Sequence, residues 1–140
     1  MKLYTVSVAQ CIACGKCELA CGFAHGRDGK AGQTRINITK RGVEAGVPIV
    51  CFQCVEAACV KSCTKDAIVR NEKTGALDVD YAKCIKCKAC VAACPFGNFM
   101  WDEAFKEVHK CDLCKGDPQC VPFCPTGALA YVSAQEDRTA

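Results

Sequence analysis

The sequence predicts an α+β fold made of tandem small units with little regular secondary structure. Three observations carry that expectation. Sixteen of 140 residues are cysteine, far above ordinary usage. The cysteines fall into four runs of four, at 11, 14, 17, 21; 51, 54, 59, 63; 84, 87, 90, 94; and 111, 114, 120, 124. The segments between the runs are too short to build a conventional apolar core without help from bound metal or disulfides.

The elements follow in chain order. Tyr4-Thr5-Val6-Ser7-Val8 alternates as an opening strand should. After the first run comes a turn-rich stretch, Gly26 to Gly32, and then the alternating Arg35-Ile36-Asn37-Ile38-Thr39, read as a second strand. Ala67–Arg70 and Ala76–Asp80 flank Asn71-Glu72-Lys73-Thr74-Gly75, which predicts a hairpin with a five-residue turn. Ala128–Ser133 is the expected closing strand. Short helical turns are expected after the third cysteine of each run, with Val55–Ser62 and Val91–Ala93 suited to them.

The runs also show an internal repeat. The first and third read C-x2-C-x2-C-x3-C, the second C-x2-C-x4-C-x3-C and the fourth C-x2-C-x5-C-x3-C. Ile12 and Ala20 of the first match Ile85 and Ala93 of the third, and Cys59-Val60 matches Cys120-Val121. A pair of runs has been duplicated.

This spacing is that of the bacterial ferredoxin run for a 4Fe-4S cluster. Three thiolates two residues apart let a tight loop wrap three corners of a cluster. Backbone N–H groups of that loop then face the cluster sulfurs. The fourth cysteine sits where the chain is leaving and ligates the neighbouring cluster. Sixteen thiolates therefore predict four 4Fe-4S clusters. Cys14, Cys54, Cys87 and Cys114 fill the second position of every run, which leaves no vacancy for a 3Fe-4S cluster. Zinc ribbons separate their C-x2-C knuckles by 12 or more residues, whereas each run here is complete within 11 to 14. A disulfide scaffold would need export, and the start, Met1 to Gln10, has no secretory pattern. The expected location is cytoplasmic.

Composition excludes further classes. No apolar run approaches the roughly 18 residues of a membrane span. The formal charge of +3 turns to about −5 once four clusters at roughly −2 each are added, so the basic balance is no sign of nucleic-acid binding. Lys16, Lys61, Lys83, Lys86, Lys88, Lys110 and Lys115 lie beside the runs. They offset cluster charge, meet an acidic partner, or are simply solvated. His25 and His109 lie outside complete runs and are read as surface or packing residues. Trp101, with Phe96, Phe99, Met100 and Phe105, is read as core packing, with an apolar docking patch for another subunit as the alternative. No nucleotide loop, catalytic triad or carboxylate pair is present, so no catalytic residue is expected.

The four-run order resembles the four-cluster ferredoxin-like electron-transfer subunits of the dimethyl sulfoxide reductase beta type. Similar subunits serve formate dehydrogenases, hydrogenases, carbon monoxide dehydrogenases and tungsten aldehyde oxidoreductases. The resemblance rests on Val47–Cys54, Tyr81–Ile85, Lys110–Cys114 and Cys120–Leu129. It implies which runs pair. Cys11, Cys14, Cys17 and Cys124 would hold cluster a; Cys111, Cys114, Cys120 and Cys21 cluster b; Cys51, Cys54, Cys59 and Cys94 cluster c; Cys84, Cys87, Cys90 and Cys63 cluster d. Residues 1–48 with 97–140 would form one unit and residues 49–96 the other. Family runs end Cys-Pro; Cys94-Pro95 and Cys124-Pro125 conform, while Cys21-Gly22 and Cys63-Thr64 do not.

The implied function is a wire. Four clusters would relay single electrons between a larger catalytic subunit, of the tungsten or molybdenum aldehyde oxidoreductase type, and a second redox subunit or ferredoxin. The short chain points to a complex without a membrane anchor. A free-standing soluble polyferredoxin is the alternative. End-to-end self-association is compatible with the sequence but not demanded by it.

Overall fold

A computed structural model describes residues 2–133. The ends of the expected first unit, residue 1 and residues 134–140, lie outside the described residues. The architecture is a set of four two-stranded antiparallel ribbons and three short helices, threaded between the cysteine runs.

Strand β1 (Lys2–Val6) pairs with β8 (Leu129–Ser133), so the two ends of the described chain meet. Tyr4 lies opposite Tyr131 and Val6 opposite Leu129. Ribbon β2 (Asn37–Lys40) and β3 (Gly46–Ile49) closes the insert after the first run. The hairpin of β4 (Ile68–Arg70) and β5 (Leu77–Val79) sits where its turn residues predict. Asn71 makes that turn, since its side chain accepts from the backbone N–H of Lys73 at 2.9 Å and its own N–H reaches Ala76 O at 2.8 Å. Ribbon β6 (Met100–Asp102) and β7 (Glu107–His109) was not foreseen. Its strands have three residues each, and the segment between them lacks the turn residues that mark the hairpin of β4 and β5.

The helices are α1 (Lys16–Ala24), α2 (Ala58–Ser62) and α3 (Ala89–Ala93). They contain the third cysteine of their run (Cys17, Cys59, Cys90) rather than following it. In the fourth run the segment before the third cysteine, Leu113–Gly116, is a turn of residues with positive φ rather than a right-handed helix. The reason is geometric: the third ligand has to leave a wrapping loop, and a helix starting there carries it inward.

Two apolar clusters form the interior. One joins Ala57, Ile68, Leu77, Cys90, Phe99 and Val108, with Cys54, Cys59, Cys63, Cys84 and Cys94 against it. The other joins Cys17, Cys21, Ile36, Val50 and Leu129, with Tyr4, Val6, Cys120 and Cys124 against it. Thus one core belongs to runs two and three and the other to runs one and four. Phe99, Trp101 and Val108, from the segment beyond residue 96, pack into the core of runs two and three. Among the described residues no helix is long and apolar enough to cross a membrane.

Candidate iron–sulfur centres

Each run bends through the same local device. The residue before the second cysteine is left-handed without being glycine: Ala13 (φ 56°), Gln53 (50°), Lys86 (59°) and Leu113 (55°). In three runs the residue after it is left-handed too: Gly15, Lys88 and Lys115. Such residues cost energy and persist only where the surroundings over-determine them. Here they reverse the peptide plane on either side of a cysteine and curl the loop around a common centre.

The cysteines gather around cavities. Cys51, Cys54, Cys59 and Cys94 line one, with Phe52, Phe96 and Lys110. Cys63, Cys84, Cys87 and Cys90 line a second. Cys11, Cys14, Cys17 and Cys124 line a third. In each, three cysteines of one run meet the fourth cysteine of another. The remaining four are also brought near one another in part: Cys114 and Cys120 are electrostatic neighbours of Cys21. None of the sixteen is in a disulfide.

The donor set suits iron–sulfur chemistry. Backbone N–H groups point at sulfur: Arg35 N to Cys21 at 3.2 Å, Ala67 N to Cys63 at 3.3 Å, Lys86 N to Cys84 at 3.4 Å and Asn98 N to Cys94 at 3.4 Å. Burial works on the thiols in the other direction. It pushes Cys17 and Cys111 up to about 12 and Cys90 and Cys114 up to about 11. Cys94 and Cys124 behave differently. Burial raises each, yet the N–H groups of the turn after it (Asn98, Phe96, Phe99 and Gly97; Leu129, Thr126 and Ala128) outweigh it, and both thiols are held low. These are the two cysteines followed by proline. Cavities walled by four thiols, with N–H groups aimed at sulfur and no carboxylate in the lining, fit a 4Fe-4S cluster.

Side chains from distant parts of the chain also reach the sulfurs of the fourth run. The Tyr4 hydroxyl lies 3.0 Å from Cys120 Sγ. Burial, and then the sulfurs around it, raise the phenol far above its ordinary value, so it is the donor. His25 Nε2 lies 3.7 Å from Cys114 Sγ and 3.7 Å from Asp112 Oδ1. Both neighbours accept, so the proton belongs on Nε2. Sequence reading placed His25 as an ordinary surface or packing residue. The insert after run one folds back on run four and brings it 89 residues along the chain, which local spacing cannot reveal. His109 is a packing residue, buried and bonded to Gln33 at 3.2 Å, and burial pushes it down to about 4.

The lysines separate into two kinds. Lys16, Lys61, Lys83, Lys86, Lys88 and Lys115 are exposed. Lys61 pairs with Glu56 at 2.6 Å, and Lys88 covers the Trp101 ring at 4.1 Å. Lys110 is buried.

Comparison with known proteins agrees with this chemistry. The profile of the 4Fe-4S dicluster domain family matches residues 45–134, and that of a 4Fe-4S binding domain matches residues 9–24. The chain belongs to the 4Fe-4S dicluster domain family. Among curated relatives, the beta subunit of NADH-dependent phenylglyoxylate dehydrogenase from Aromatoleum evansii is 35% identical over 89% of this chain and 29% of its own length. The polyferredoxin-like subunit of aliphatic sulfonate oxidoreductase from Pyrococcus furiosus is 40% identical, over 82% of this chain and 66% of its own. The electron transport protein HydN of Escherichia coli K12 is 34% identical, over 89% of this chain and 83% of its own. The chain thus spans less than a third of the first of these relatives. Its fold resembles the BamBC active-site complex of benzoyl coenzyme A reductase, with a TM-score of 0.53 and 19% identity, over 99% of this chain and 86% of that one. Several of these relatives are named as electron transport proteins or oxidoreductase subunits.

Proposed function

We propose that the protein carries four 4Fe-4S clusters as the electron wire of an oxidoreductase complex. The observation that carries this reading is the exchange of fourth cysteines at the cavities. Cys94 joins the cavity of run two, Cys63 that of run three and Cys124 that of run one. Cys21 beside Cys114 and Cys120 supports the fourth site. Runs two and three, and runs one and four, then make two ferredoxin-like units, which the division of the apolar interior supports.

The clusters supply one-electron capacity; the chain supplies position, insulation and tuning. Neighbouring thiols from different sites suggest the order of the wire. Cys17 of the first site neighbours Cys120 of the second, and Cys111 of the second neighbours Cys51 of the third. Sites a, b and c therefore follow one another, and site d, which shares the interior of runs two and three with site c, ends the row.

A larger catalytic subunit is the proposed partner. The expected docking region between Phe96 and Phe105 is narrower than its sequence suggested. Phe99 is buried, and Phe105 lies beneath the Arg27 guanidinium at 4.3 Å. Phe96 is exposed and stacks edge-on against exposed Phe52 at 4.7 Å. A second apolar surface, Leu19, Phe23 and Phe123, lies on α1 and run four. Apolar surface at separate places along the wire suits a subunit that meets a donor and an acceptor. The dimethyl sulfoxide reductase beta type is the proposed subfamily, the tungsten or molybdenum aldehyde oxidoreductase class the proposed partner enzyme, and the cytoplasm the proposed location.

The test is anaerobic purification of the tagged protein from its native host, counting iron, sulfide and zinc. About 16 iron and 16 sulfide per chain with a co-eluting large chain is the expected result. The same iron without a partner would favour the free polyferredoxin. Zinc without sulfide would end the wire reading.

A further inference from the structure

Lys110 follows β7 and directly precedes Cys111. It is 3% exposed. Its ammonium donates to Gln53 Oε1 at 2.8 Å, to Leu77 O at 2.7 Å and to Cys111 O at 2.7 Å. All three acceptors are neutral. Among the described residues no carboxylate pairs with it, although five other lysine or arginine side chains meet a carboxylate. A buried ammonium needs an anion, because hydrogen bonds to neutral carbonyls only partly replace lost hydration. The side chain also lines the cavity of Cys51, Cys54, Cys59 and Cys94. The nearby anions are therefore sulfurs. The side chain thus stands at two sites at once: it walls the cavity that holds Cys59, and it directly precedes Cys111 and donates to its carbonyl.

Gln53 completes the junction. It lies between Cys51 and Cys54, donates through Nε2 to Cys111 O at 2.7 Å, and accepts from Leu77 N at 2.9 Å and from Lys110. One amide and one ammonium thus join run two to run four. This is the place where the wire passes from one ferredoxin-like unit to the other.

We propose that Lys110 is a positioning residue for electron transfer: its buried ammonium is the shared counter-charge of the clusters at Cys51/Cys54/Cys59/Cys94 and at Cys111/Cys114/Cys120/Cys21, and it biases both toward the reduced state. The inference rests on the four-cluster reading above. A fixed positive charge stabilises the more negative, reduced form of each cluster. An electron leaving one of the two sites for the other stays beside the same cation, so the hop across the unit boundary avoids the repulsion of an uncompensated neighbour. No bond is made or broken at Lys110; one electron enters from the preceding cluster and leaves to the next.

The test is an EPR-monitored redox titration of the anaerobically purified holoprotein, with iron counted in every sample. Wild type should hold about 16 iron per chain. In Lys110→Met two of the four couples should fall by about 59 mV or more, a tenfold loss in electron acceptance, while the other two stay. Lys110→Arg should restore them. Gln53→Glu keeps the ammonium but sets a carboxylate on it, and should lower the same two couples; this variant decides the matter if Lys110→Met sheds iron. A merely structural lysine would change stability without splitting the couples in this way. Unchanged potentials in fully loaded Lys110→Met and Gln53→Glu, or an equal shift of all four couples, would overturn the inference. A wild-type chain holding zinc instead of iron would overturn it together with the reading beneath it.

Discussion

Tyr4 is a single side chain placed to tune the proposed cluster beside it. Its hydroxyl, on β1 where that strand pairs with β8, sits 3.0 Å from Cys120 Sγ. Because burial keeps the phenol protonated, it donates to sulfur. A hydrogen bond to a charged acceptor contributes roughly 1.5–3 kcal/mol, and it is stronger when the cluster is reduced. If about 1 kcal/mol of that differs between the two redox states, Tyr4→Phe lowers the potential of one cluster by about 40 mV. Redox titration of the variant checks this, and a shift upward would contradict the donor assignment. His25→Phe removes the second side-chain donor at this site and is expected to move the same couple in the same direction. Both variants leave the left-handed loop residues untouched, so the iron count should stay at the wild-type value.

The wrapping loops set a different constraint, because there the backbone rather than the side chain carries the geometry. Lys86 is exposed and left-handed at φ 59°, and its N–H faces Cys84 sulfur. Lys86→Gly relieves a strained residue and is expected to slow loss of iron under chelator, by roughly 1 kcal/mol in the relevant equilibrium. Lys86→Val places a β-branched side chain at positive φ and is expected to hasten it. Visible absorbance followed during chelation separates the two; equal rates would show that the turn carries no strain. Gly46 is limited by space instead. A Cβ there would lie 2.8 Å from Ile38 Cγ2 and 3.0 Å from Ala13 Cβ, so β3 can approach the first loop only without a side chain. The sequence made much of this level legible. The hairpin around Asn71–Gly75 and the strands at both ends follow from alternation and turn residues. The left-handed positions do not, since Ala13, Gln53, Lys86 and Leu113 have nothing in common except their place before a cysteine. Gly46 likewise acquires its meaning only from what packs on it.

The molecule as a whole is held together around its cysteines. The spacing of the runs implied sites of three cysteines plus one borrowed, whereas which run lends to which depends on long-range packing. The same is true of Lys110, whose burial arises only when run four closes over Gln53 and Leu77. Both apolar clusters are walled by sulfur: five cysteines border the core of runs two and three, and Cys17 and Cys21 are members of the other core. The regular elements are too short to be stable alone, since isolated helices of five residues and single ribbons do not persist in water. Metal binding and folding should therefore be one process. Removing iron anaerobically with a strong chelator is expected to abolish cooperative unfolding and most far-ultraviolet dichroism, and reconstitution with iron and sulfide to restore both. The same logic makes ligand loss asymmetric. Cys94 of run three lines the run-two cavity and is the proposed fourth ligand there, so Cys94→Ser should remove iron from that cavity while leaving Cys84, Cys87 and Cys90 with Cys63 intact. Iron should fall by about 4 per chain, and the couple that is lost should be one of the two that respond to Lys110. Loss of a couple insensitive to Lys110 would mean that Cys94 serves its own run, and the exchange of ligands between runs would have to be abandoned.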